Sequence, residues 1–261
     1  MNHYIEYDEG SGHCGISVHT GSRNLGIKVN KYWKTQASGD KIPKEIQRAI
    51  QEEVKSRPEI DRREIKPTID AELKKWREEN IHPGLLSGEN LRGYLTDVCI
   101  ASAYASWNHK VILDRALDVY SKMMGGHEIE RITTRHNYID FSGSTPIIRK
   151  GAVSAKKDEV LLVPFNMRDG VAVCLGKGNS EWLESCAHGS GRRLSRGKAK
   201  SELSLDEFKE TMKGIYSTSV CYETLDESPM AYKDKDEVLQ NLEPTIDVLY
   251  FMKPKINLKA L

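Results

Sequence analysis

Apolar runs are short throughout this 261-residue chain, and none approaches the roughly 18 residues a membrane-spanning helix needs. No membrane span is expected. Residues 1–12 (MNHYIEYDEGSG) lack the apolar stretch of a signal peptide. Cysteine is scarce, with five scattered residues, an odd number that forms no disulfide framework and suits a reducing cytoplasm. Net charge is also small, +1 with 30% charged residues, which excludes a uniformly basic nucleic-acid binder. A basic surface has to be local and offset by acid elsewhere. There is no internal repeat, no zinc-finger spacing, no H-E-x-x-H signature and no clean linker. The 38% hydrophobic content supports one substantial core, and the chain reads as a single mixed α and β domain over 1–261.

The order of elements follows from periodicity. HYIEYD and GISVHT alternate as two strands around the loop GSGH. In a symmetric hairpin, residues whose numbers sum to 22 or 23 face each other, which brings His3 near His19. A helix is expected after GSRN, burying Leu25, Val29, Tyr32 and Trp33. Residues 38–90 read as a charged helical excursion broken at Pro58, Pro67 and Pro83. Leu91–Met124 carries Leu95, Val98, Ala105, Ile112, Ala116 and Tyr120 at helical spacing and reads as a long core helix or a bent pair. Short strands and glycine turns follow from about residue 131. Ser204 and Glu207 form a capping box, and TIDVLYFMKP reads as a late strand ahead of a separate tail, INLKAL.

Chemistry concentrates around four of the eight histidines. They lie in Asn2-His3, in His19-Thr20-Gly21-Ser22-Arg23, in Arg135-His136-Asn137, and in His188-Gly189-Ser190-Gly191-Arg192. Imidazole is the commonest metal ligand and can act as a nucleophile. In HGSGRR, two glycines and a serine stand beside two arginines: glycine lets backbone N–H groups approach a phosphate, and arginine binds it bidentately. HTGSRNLG has the same character where a strand meets a helix N-terminus, and Arg149-Lys150-Gly151 adds a basic turn. Each of these fits an ordinary glycine turn with a solvated arginine equally well when taken alone. The residues by themselves point to metal-assisted phosphoryl transfer and no further.

Together and in order, NHYIE, HTGSRNLG, YASWNH, RHNYI, RKGA, VPFNMRDG, AHGSGRRLSR, DESPMAYKD and KPKINLK resemble the RtcB family of RNA ligases. The resemblance runs from residue 2 to residue 259. It implies a GTP- and manganese-dependent ligase that joins an RNA 3′-phosphate, or 2′,3′-cyclic phosphate, to a 5′-hydroxyl. His188 would carry GMP through a phosphoramidate bond. His3, His19 and His136 would bind manganese. Asn2, Tyr4, Glu6, Asn166, Gly189, Ser190, Gly191, Tyr232 and Lys259 would contact the nucleotide. Arg23, Arg149, Lys150 and Arg192 would face RNA phosphates. Implied partners are tRNA halves or other cleaved RNA, and an archease-type activator.

The chain departs from the family pattern in lacking an upstream D-x-x-C-G motif, whose cysteine bridges two manganese ions. Three expectations compete: an N-terminally truncated record, a split gene whose missing segment comes from a separate polypeptide, or an inactive homologue. Cys14 is a weak substitute ligand because it lies near the hairpin turn. Val171 stands where a serine is usual, His109 where an arginine is common, and Ser190 where an alanine is usual. His13, His82 and His127 match nothing and read as surface residues. Two rival functions stay open: an RNA-binding remnant and a metal-dependent phosphohydrolase.

Overall fold

The computed structural model describes residues 3–38, 42, 44–80 and 84–259. Asn2 and His82 lie outside the described residues. The fold is mixed α and β, in two compact units: residues 1–21 with 104–261, and residues 22–103. Elements run in the order β1 (Tyr4–Gly10), β2 (His13–His19), α1 (Asn24–Ser38), α2 (Lys44–Ser56), α3 (Ile65–Asn80), α4 (Gly88–Met124), β3 (Tyr138–Asp140), β4 (Ile147–Arg149), β5 (Ala152–Ser154), β6 (Val160–Pro164), β7 (Val171–Gly176), β8 (Ser185–Ala187), α5 (Arg196–Glu202), α6 (Leu205–Thr211), α7 (Lys235–Leu242) and β9 (Ile246–Lys259).

The first unit is built on a five-stranded antiparallel sheet in the order β2-β1-β9-β7-β6. The hairpin register pairs residues summing to 23, so Tyr4 stands directly opposite His19 and His3 is one step away. β9 is a single strand of 14 residues, and the expected separate tail is its second half. Its first half pairs with β7 and its second with β1. Pro254 would ordinarily interrupt a central strand, since it cannot donate to the ladder. Here the register shifts beside it: Asp8 pairs with Pro254 and Tyr7 with Ile256, leaving Lys255 as the extra residue of a bulge. The Lys255 carbonyl accepts from the Tyr216 N–H at 2.9 Å.

One core lies between the β6–β7 hairpin and α7, joining Leu161, Val163, Ala172, Cys174, Val238, Leu242 and Ile246. A second joins Met167, Phe208, Met212 and Leu225. Ser204 caps α6, accepting from the Asp206 and Glu207 N–H groups, which aims Phe208 into that core. Full burial of such a phenyl ring stabilises the fold by roughly 1.5–3 kcal/mol.

The second unit holds α1, α2, α3 and the first part of α4. Trp33 is buried, its indole N–H donating to Asp97 at 2.7 Å. Gly93 lies so close that a Cβ there would stand 2.5 Å from the indole ring. Tyr32 departs from expectation and is 55% exposed, because neighbours on a helix are about 100° apart and only one of the pair can face inward. Pro67 does not break a helix. It is the third residue of α3, in the first turn, where no intrahelical N–H partner is required. The expected core helix is one continuous 37-residue element, but Ala101 is its single buried residue among the described ones. Trp107 is 66% exposed. Apolar periodicity specifies a helix; burial also needs a facing surface of equal length.

Candidate active site

One rung of the sheet sets the site. Lys259 of β9 pairs with Tyr4 of β1, and Tyr4 pairs with His19 of β2. Cross-strand partners share a face. The Tyr4 ring therefore lies 5.4 Å from the His19 ring, and Lys259 Nζ sits 5.4 Å over Tyr4. On the next rung Asn257 donates to the Glu6 carboxylate, and Ser17 donates to Asp8 at 2.6 Å. Glu6 and Asp8 are buried. Burial, then the charge of Asp8, pushes the Glu6 carboxyl well above the usual carboxylate range, and burial raises Asp8 too. A carboxyl group that keeps its proton can donate a hydrogen bond as well as accept one.

Beside this rung the imidazoles converge. The His19 and His136 rings are 5.2 Å apart, and the His136 and His188 rings stack at 4.8 Å. His3 lies close enough to act electrostatically on His19. Burial, followed by the neighbouring histidines, lowers His19 to about 3 and His136 to about 4. Both rings are thus neutral at physiological pH, with lone pairs available to a cation.

His188 is positioned by pairing of β5 with β8, which sets Ala152 against Ala187 and so brings Gly151 to the ring. His188 Nδ1 is 2.8 Å from the Gly151 carbonyl oxygen. A carbonyl can only accept, so Nδ1 carries a proton, and in the neutral ring that tautomer puts the lone pair on Nε2. The Gly151 N–H in turn donates to the Asn137 side chain at 2.9 Å. After His188 the chain presses against the end of β6: a Cβ on Gly189 would meet the Pro164 carbonyl oxygen at 2.8 Å, and Ser190 donates its buried hydroxyl to the Phe165 carbonyl at 3.0 Å.

A fifth imidazole, unanticipated from the sequence, joins the group. His109 acts on both His19 and His136. Its Nε2 is 2.7 Å from the Thr20 carbonyl, while Asn108 donates to the Gly21 carbonyl at 3.0 Å and to the Thr20 hydroxyl at 3.2 Å. These bonds fix the two residues that follow His19. The departure from the family's arginine at position 109 was the available signal.

The remaining candidates are placed as follows. Tyr232, Lys259 and Arg192 gather around Glu227. Asn166 turns inward on its own loop, its Oδ1 accepting from the Arg168 and Asp169 N–H groups and its Nδ2 donating to Asp169. Gly191 adopts φ 69°, a conformation that favours glycine. Lys150 is exposed, and Arg23 is exposed in the second unit. Arg149 is a correction. It is 2% exposed, and its guanidinium is taken up by Asp140 at 2.6 Å, Ser185 at 3.0 Å, Tyr138 and the carbonyls of Leu183 and Glu184. In this structure it serves as an internal ion-pair residue rather than a surface cation. Cys14 lies outside the cluster, 3.2 Å from the Tyr120 hydroxyl. His13 and His127 are exposed, as expected.

Among the described residues no set of three His, Cys, Asp or Glu side chains stands ready to hold a metal ion, and no helix is long and apolar enough to cross a membrane. The donor chemistry of the neutral imidazoles fits a divalent transition-metal ion, although their arrangement does not complete a site.

The fold and site define a mixed α/β protein with a half-buried imidazole cluster beside a group of charged and tyrosine side chains. The sequence model described as tRNA-splicing ligase RtcB matches residues 2–260, and the chain belongs to the RtcB family. It is similar to two Escherichia coli proteins, RNA-splicing ligase RtcB of strain K12 and RNA-splicing ligase RtcB1 of strain ATCC 25922. Each is 28% identical over 272 residues, an alignment covering 99% of this chain and 59% of the relative. The chain thus spans about three-fifths of the length of these curated relatives.

Proposed function

We propose that the chain is the catalytic portion of an RNA ligase that uses GTP and manganese to join RNA 3′-phosphate, or 2′,3′-cyclic phosphate, ends to 5′-hydroxyl ends through a histidine–GMP intermediate. The observation that carries the reading is the Gly151 carbonyl against His188 Nδ1, which selects the tautomer whose lone pair is on Nε2, beside His19 and His136 rings that resist protonation. The Nε2 lone pair attacks the α-phosphorus of GTP. A P–N bond forms, the bond to the bridging oxygen breaks, and pyrophosphate leaves with the electron pair. Water first opens a 2′,3′-cyclic end to the 3′-phosphate by breaking the P–O2′ bond; an oxygen of the 3′-phosphate then takes the guanylyl group as the P–N bond breaks and His188 departs. A 5′-hydroxyl next attacks the activated 3′-phosphorus and GMP leaves.

The chain's own residues bind and orient in this scheme. Tyr4, Glu6, Tyr232 and Lys259 line the base site, the Gly189–Gly191 loop faces the α-phosphate, and Asn2 and Asn166 complete the nucleotide contacts. Lys150, Arg192 and Arg23 serve RNA phosphates. His3, His19 and His136 would hold manganese, which when bound offsets charge on the phosphate and the leaving oxygen. Ligands from the part of the relatives that this chain does not span would complete the set. Five free thiols accord with a reducing cytoplasmic location.

The test is incubation with labelled GTP and manganese. A covalent, acid-labile label that disappears in His188→Ala is the expected outcome. RNA binding without any label would favour the remnant, and phosphate release without a covalent adduct the phosphohydrolase. Either result overturns the ligase reading.

A further inference from the structure

Glu227 lies at the end of the 3-10 turn Tyr222–Glu227, five residues before Tyr232, and is 7% exposed. Its Oε2 accepts from the Tyr232 hydroxyl at 2.6 Å and lies 3.6 Å from Lys259 Nζ. Its Oε1 lies 3.3 Å from Arg196 and 3.5 Å from Arg192. One carboxylate thus touches side chains from the HGSGRR loop, the start of α5, the loop after the 3-10 turn and the last residue of β9. Arg192 also lies 5.2 Å over the Tyr232 ring. The Lys259 side chain is only 4% exposed, and an ammonium buried to that degree requires a nearby negative charge. Burial pushes its pKa down, and Glu227 first, then Glu6, oppose the shift. Glu6 itself is driven toward its protonated form by burial and by Asp8. Glu227 is the carboxylate in direct contact with that ammonium, at 3.6 Å. Asp226 next to it engages Arg196 at 3.8 Å and Lys200 at 3.6 Å, so the surplus cations are answered separately.

We propose that Glu227 is a positioning residue that holds the Tyr232 hydroxyl and the Lys259 ammonium in place for a nucleobase presenting a carbonyl oxygen. This rests on the reading of Tyr232 and Lys259 as the base site. An ammonium can only donate, so the arrangement favours guanine, with its carbonyl, over adenine, which offers an amino group at the same edge. Glu227 does not touch the base; it acts through the two residues that do.

Equilibrium binding of fluorescent GTP and ATP analogues to the full chain tests this, with thermal unfolding of each variant in parallel. Glu227→Gln keeps an acceptor for Tyr232 but loses the charge. It is expected to weaken GTP binding about 10- to 100-fold, the scale of one or two charge-assisted hydrogen bonds, and to reduce the GTP/ATP preference. Lys259→Met is expected to do the same, and the double variant to be no worse than Lys259→Met alone, because the two residues act as one unit. If Glu227→Gln binds GTP within about twofold of wild type with unchanged preference while Lys259→Met still loses binding, the positioning role is overturned and the base site stands. If Lys259→Met has no effect, the base site fails and the proposal falls with it. Should Glu227→Gln not fold, Glu227→Asp, which keeps the charge on a shorter arm, carries the test: weakened GTP binding at retained stability supports the role, and wild-type binding overturns it.

Discussion

Replacing Arg149 by methionine should unfold the protein far more readily without first touching RNA. The guanidinium sits between β3–β4 and the segment leading into β8, bonded to one carboxylate, two hydroxyls and two carbonyls. Its pairing partner Asp140 is held well below the usual carboxylate range, first by Ser142 and also by Arg149 and Lys156. Methionine matches the length of the side chain but donates nothing. Removing one partner of a buried ion pair costs about 3–5 kcal/mol, and Lys156, 3.2 Å from Asp140, offsets part of that. We expect about 3 kcal/mol, a fall of roughly 6–12 °C in midpoint for a chain of this size. Denaturant titration and thermal scans measure it, with Lys150→Ala as the comparison. Lys150 is exposed, so its loss should change stability by no more than about 0.5 kcal/mol while weakening RNA binding. The reasoning is refuted if Arg149→Met is as stable as wild type and instead loses RNA affinity selectively.

Two further outcomes follow from the site. The folded His19 and His136 rings resist protonation, with values near 3 and 4 against about 6.5 in an unfolded chain, so between those limits the unfolded state binds more protons. Their contribution is complete above pH 6.5 and is lost as pH falls; at pH 5 we expect a loss of about 1–2 kcal/mol per ring after allowance for partial exposure. Guanidinium titrations of chelator-treated protein at pH 7 and pH 5 check this, and a loss that persists undiminished in His19→Gln/His136→Gln would contradict it. Gly189→Ala forces a methyl group against the Pro164 carbonyl, so it should cost about 1–3 kcal/mol and reduce guanylylation roughly 100-fold by displacing His188; wild-type labelling would show that the loop has slack.

The local parts of this architecture are written in local residues. Alternation in HYIEYD and GISVHT announces the hairpin, and the serine cap announces α6, because both depend on neighbours a few positions apart. The hairpin register brings His3 and His19 together, but that His136 and His188 join them is legible only through the family words that contain them. Glu227 carries no signal of its own, since an acidic residue in a turn looks solvated until the fold surrounds it with cations. Arg149 misled for the converse reason: a basic residue before Lys-Gly looks exposed, and only the arrival of Asp140 and the residues before β8 encloses it. The second half of β9 was hidden by Pro254, whose effect on pairing is absorbed by a bulge that composition does not reveal. Tyr32 shows the limit of counting apolar residues without their angles.

The rung joining Lys259, Tyr4 and His19 has a consequence for how the molecule is made. Its members Lys259 and Tyr4 come from opposite extremes of the described chain, and the neighbouring Asn257–Glu6 bond spans a separation of 251 residues. Such contacts are the slowest to form and cannot exist before β9 has been synthesised. A nascent chain therefore holds His188 well before it owns the lysine beside Tyr4. On the proposed reading nucleotide capture waits for β9, and a fragment stalled before it would carry His188 without Lys259.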